Sequence, residues 1–176
     1  AINAPVMNVW ITIGVFYGLL FAVHKTAQSA LGLLPVFALT GWLGFTLGPI
    51  LSMFLATQGG TQIVTMAMGG TAAIFFSLSA FALVTKKDFS FLSKFVLVGI
   101  IVALVVMVAN IFLNIPALGL AISAAFMVLS SAIILMQTSQ IVNGGETNYI
   151  LATVTLFVQI YNLFLSLLNI LGAFND

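Results

Sequence analysis

The residues able to carry chemistry are few. The chain holds four lysines, three acids, one histidine and no cysteine. None of the four lysine and arginine positions counted is an arginine. Without cysteine there is no disulfide, no thiolate nucleophile, no zinc knuckle and no iron-sulfur ligation. A metal site or a paired-carboxylate active site would have to use nearly every candidate side chain present. The single histidine, His24, stands beside Lys25 at the end of an apolar run and reads as an interfacial residue. A formal charge of +1 provides no basic surface to neutralise phosphates, so nucleic-acid binding is set aside. No catalytic residue, cofactor or metal is expected, and the chemistry left to the chain is that of uncharged hydrogen-bonding groups.

Those groups are patterned. Thr155, Gln159, Asn162, Ser166 and Asn169 follow one another at intervals of four, three, four and three, which puts all five on one stripe of a helix. Upstream, Ser123, Ser130 and Gln137 recur every seven residues, flanked by Ser131 and Thr138. Two facing polar stripes on consecutive antiparallel helices either line a hydrated pathway or bond each other across a dry interface. Amide and hydroxyl pairs in membranes are worth only about 0.6 to 2 kcal/mol each, so the dry interface is energetically ordinary and is the preferred reading. Small residues recur at helical spacing as well, in Gly44 with Gly48 and in Gly69 with Ala73, and read as helix-packing positions. Pro49 removes one backbone hydrogen bond, which either kinks its helix or frees a carbonyl.

The elements that carry these residues must be membrane spans. Hydrophobic residues make up 62% of the 176 and charged residues 4%, against about half and a quarter in a soluble domain. A bilayer core about 30 Å thick calls for roughly 20 apolar residues of helix. Six runs qualify: 6–23, 32–56, 62–84, 91–113, 116–142 and 149–174. Runs such as 96–106 do not alternate, which excludes the strands of a membrane barrel. The expectation is one polytopic domain, residues 1–176, an all-α integral membrane protein of helical hairpins. Asp88 with Ser90, and Glu146 with Thr147, precede spans four and six as capping candidates.

Lys25, Lys86, Lys87 and Lys94 all flank the loops that follow spans one and three, so that side is expected to be cytoplasmic. Both termini then lie outside. An N-terminus outside and without an initiator methionine suggests either an upstream span or a cleaved signal peptide. No acid lies inside a span, which argues against proton- or sodium-coupled transport.

Several stretches carry a resemblance. Leu47-Gly48-Pro49-Ile50 and Gly69-Gly70-Thr71-Ala72-Ala73 resemble the signature of the Bax inhibitor-1 (TMBIM, UPF0005) family. Residues 85–92, 107–113, 144–150 and 161–164 are similar to its bacterial YccA branch, in family order across nearly the whole chain. The resemblance implies seven spans with a cytoplasmic N-terminus, hence a first span missing here. It further implies a bacterial inner-membrane protein, embedded in the lipid bilayer, that is a client and modulator of the AAA protease FtsH, associated with HflK and HflC, and that occupies or restrains the protease. Other branches are similar to pH-sensitive calcium leak channels latched by two aspartates. At the corresponding positions this chain has Gln137 and Gln159, which cannot titrate but can hydrogen-bond side by side. A weak or pH-insensitive cation leak through Gln137, Gln159 and Asn162 is the alternative.

Overall fold

The computed structural model describes residues 9–175 and consists of six α-helices: α1 (Val9–Thr26), α2 (Leu33–Leu55), α3 (Gly60–Thr85), α4 (Leu92–Leu113), α5 (Pro116–Val142) and α6 (Tyr149–Asn175). Five of them are long and apolar enough to cross a membrane, and α1 is a shorter apolar helix. The protein is thus an all-α membrane protein. Span five has the expected ends and span six runs one residue further. The first span differs more. Residues 6–8 lie outside the described residues, and the helix continues through His24-Lys25 to Thr26. Polar side chains extend it by bonding back into the helix, His24 Nδ1 to the Leu20 carbonyl at 2.8 Å and Thr26 Oγ1 to the Ala22 carbonyl at 2.7 Å. In lipid every backbone polar group needs an internal partner, so long apolar runs wind into helices until a turn residue stops them.

The stops are specific. Between α2 and α3 the chain reverses through Gly59 at φ 78°, and a Cβ on the next residue, Gly60, would collide with the Phe54 carbonyl. Lys86 and Asn114 close α3 and α4 in the left-handed conformation at φ 51° and 50°. Asn tolerates that region because its short amide bonds locally; here Asn110 Oδ1 also accepts the Ile115 N–H at 3.0 Å. Pro116 starts α5 at its first turn, where no N–H is needed. A 3-10 turn, Ala30–Gly32, leads into α2, and α2 runs without a break through Pro49.

Helix α6 is the centre of the bundle. It packs most extensively on α5, then on α3, and also touches α1 and α2; α3 packs on α5 as well, and α1 leans chiefly on α2. Helix α4 is peripheral and packs on α5. Two apolar clusters fill the interior. Val23, Val36, Leu39, Leu43, Ile150 and Val154 join α1, α2 and α6, while Ile63, Ala67 and Leu168 join α3 to α6. Because lipid is as apolar as these side chains, close packing rather than water exclusion holds the helices.

Candidate functional site

Among the described residues the charged side chains gather at one end. Lys25, Lys86, Lys87, Asp88 and Glu146 occupy the ends and connections after α1, α3 and α5, and Lys94 sits in the first turn of α4. These connections are bonded to one another and to the helices. Ser139 Oγ on α5 donates to the Lys87 carbonyl at 2.7 Å and accepts the Phe89 N–H at 3.2 Å. Asn143 Nδ2 reaches the same serine at 3.3 Å. Asn148 Nδ2 donates to the Ala27 carbonyl at 2.9 Å, tying the start of α6 to the end of α1. Lys87 Nζ lies 5.9 Å from the rings of both Phe89 and Phe91, and Lys25 Nζ 6.0 Å from Phe21. At the opposite end Asn175 Nδ2 holds the Gln58 carbonyl at 3.0 Å.

Capping at this end departs from expectation. Asp88 Oδ1 accepts the Ser90 N–H at 2.9 Å and closes a loop turn, while Phe91 stands at the N-cap of α4 and provides no side-chain cap. Glu146 Oε1 accepts the Asn148 N–H at 2.9 Å, again in the loop. The cap of α6 is Asn148, whose Oδ1 takes the N–H groups of Ile150 and Leu151 at 3.0 and 3.2 Å. An aspartate or glutamate two residues upstream is placed to fold the loop, and the residue next to the helix takes the orphan donors. Asn148 directly before the apolar run was the available signal.

The polar stripes do not bond each other. Among the described residues no side-chain hydrogen bond joins α5 to α6. Ser131 and Thr138 donate to carbonyls of their own helix, Met127 and Ile134, both at 2.8 Å, the usual resort of hydroxyls in a helix. Ser130 and Ser166 are buried and Ser123 is half-buried. Gln137 is buried with its Nε2 lacking any acceptor, and the expected side-by-side bond with Gln159 is not formed. Thr155 and Gln159 are half-buried, and Asn169 is exposed in a hollow beside Thr57 and Asn175.

Nor do the small-residue pairs pack helices within this chain. A Cβ on Gly44, Gly48 or Gly69 would meet nothing within 4 Å, and Ala73 and Pro49 are exposed. Spacing places two small residues on one face, but not which face turns inward. The close contacts are made elsewhere, by Gly99 against Leu129 and by Gly172 against Phe54.

Two hollows flank α6. An apolar groove of about 570 Å³ between α2, α3 and α6 is walled by Leu47, Met68, Phe75, Phe157, Ile160 and Phe164, among others. Adjoining it, and sharing Tyr161, a cavity of about 220 Å³ between α1, α2 and α6 is lined by Thr12, Trp42, Thr46, Val158, Tyr161 and Asn162, among others. Sequence reading had singled out only Asn162 of that polar set; Thr46, Trp42 and Tyr161 lie on other faces of the helical wheel or on other helices.

A lipid-embedded bundle of apolar helices, with its lysines at one end and uncharged polar groups inside, defines a polytopic membrane protein. The chain belongs to the Bax inhibitor-1 family: the family model described as Inhibitor of apoptosis-promoting Bax1 matches residues 1–176. It is similar to the "Modulator of FtsH protease YccA" of Escherichia coli K12, 52% identical over 168 residues covering 96% of this chain and 76% of the relative. A Pseudomonas aeruginosa protein of unassigned function is also 52% identical over the same shares. A Vibrio cholerae membrane protein is 42% identical, over 90% of this chain and 71% of its own.

Proposed function

We propose that this protein is a non-enzymatic, multi-pass protein of the bacterial inner membrane that binds FtsH, in its assembly with HflK and HflC, and modulates proteolysis. The observation that carries the reading is the 52% identity to a modulator of FtsH protease, extending over 96% of the chain. A relative in another Escherichia coli strain, equally identical, is named an inner membrane protein. The lysine-bearing end is cytoplasmic by the excess of positive charge, and both chain termini then lie on the periplasmic side.

The interior supports action by binding. The one imidazole, His24, is exposed at a helix end and engaged with its own helix. Between α1, α2 and α6 the path toward the lysine end is filled by Val23, Leu39, Ile150 and Val154, all buried. Such a plug leaves no polar surface for a hydrated cation, which favours the regulator over the leak channel.

Co-purification tests the reading. Tagged protein extracted from native membranes in mild detergent should bring FtsH with it, and reconstituted protein should pass no calcium above empty vesicles between about pH 6 and 8. Absence of FtsH under conditions that keep the FtsH–HflK–HflC assembly intact would contradict the proposal. So would a calcium flux abolished by Gln159→Leu.

A further inference from the structure

We propose that the cavity between α1, α2 and α6 is a blind, water-filled pocket that brings solvent to Asn162, the midpoint of α6. The argument starts from its hydrogen-bonding groups. Thr46 Oγ1 donates its one proton to the Leu43 carbonyl at 2.9 Å. In the 3.1 Å contact between Thr46 Oγ1 and the Tyr161 hydroxyl, Tyr161 is therefore the donor. Its oxygen is left as an acceptor facing no donor of the described chain. Trp42 contributes the opposite need, since its indole Nε1 is buried without an acceptor among the described residues. The Asn162 amide, which makes no side-chain hydrogen bond to the described protein, adds two donors and an acceptor.

Leaving a buried donor or acceptor unmatched costs about 1–3 kcal/mol per group. A hydrocarbon chain offers these groups nothing, whereas water satisfies donors and acceptors alike. A site for one water needs roughly 10–15 Å³ and two to four polar partners. The cavity measures about 220 Å³ and supplies donors and acceptors from α2 and α6. Toward the lysine end it stops at Leu43 and the tightly packed residues beyond it, Leu39 and Val154. The adjoining groove between α2, α3 and α6, which shares Tyr161 with the cavity, offers almost no polar wall and is left to lipid.

The chain has no cysteine, so single thiols report local hydration without background. The experiment uses the full chain in native membranes opened to both sides, carrying Val158→Cys, Asn162→Cys, Ile160→Cys or Gln58→Cys. Val158 lines the cavity and Ile160, two residues on, lines the apolar groove. Because the thiolate reacts and forms only where water solvates it, Val158→Cys and Asn162→Cys should react with a charged methanethiosulfonate at least about tenfold faster than Ile160→Cys. Gln58→Cys, in the exposed turn, should react with the charged reagent, and all four variants should react with a maleimide once the protein is denatured in detergent, which shows that each thiol is present. Val158→Cys as resistant to the charged reagent as Ile160→Cys, while Gln58→Cys reacts fully, would overturn the pocket. Reaction at Asn162→Cys alone would overturn it as well, since a wetted cavity must wet both walls; Val158→Cys removes no polar group and keeps the test free of lost hydrogen bonds.

Discussion

Asn148 performs two tasks with one amide. Its oxygen caps α6 and its nitrogen ties that helix to the end of α1. The two separate by substitution. Asn148→Asp keeps the acceptor and loses the donor, while Asn148→Ala loses both. Loss of a cap costs about 0.5–2 kcal/mol, so the alanine variant should melt lower in detergent than the aspartate variant, and both lower than the parent. Equal melting of Asn148→Ala and the parent would remove the cap from the account. Gln137 gives the opposite sign. Its Nε2 is buried and unpartnered, and an apolar residue of similar size relieves a desolvation penalty of about 1–3 kcal/mol. Gln137→Leu should therefore melt at or above the parent temperature. A clear loss of stability would show that the amide is bonded after all.

Helices were legible in the sequence because lipid imposes one rule on every residue of a span: the backbone must bond internally and the surface must be apolar. That is why 116–142 and 149–174 come within a residue of α5 and α6. Which face of a helix turns inward was not legible, because a span surrounded by apolar material on all sides shows no amphipathic pattern. Gly44, Gly48 and Gly69 illustrate this, being spaced for packing yet open. The crowded ones are Gly60, which carries no such motif, against the Phe54 carbonyl, and Gly99, which has the same four-residue spacing to Ala103, against Leu129. Gly44→Ala and Gly48→Ala should leave the melting temperature unchanged or raised. Gly60→Ala should lower it by the equivalent of about 1–3 kcal/mol, since overpacking against backbone cannot relax. Equal behaviour of the three variants would contradict the placement of these faces.

At the scale of the whole molecule, the sequence indicated a lipid-embedded scaffold with no acidic residue inside a span, and the family signature in 47–50 and 69–73 indicated its relatives. The candidate interior was only partly readable. The α6 stripe is real as a stripe, but it serves three surroundings: Asn162 the cavity beside α1 and α2, Ser166 a buried contact, Asn169 an exposed hollow. Partners of a stripe depend on helix rotation and tilt, which spacing along one helix does not encode. The scaffold is held by packing and by bonded connections at its lysine-bearing end. The most direct measurement is the rate at which FtsH, reconstituted with HflK and HflC in vesicles, degrades a membrane substrate as this protein is added. The account predicts a rate that falls as the protein is raised toward and beyond the protease. An unchanged rate, with the protein inserted and in excess, would contradict it.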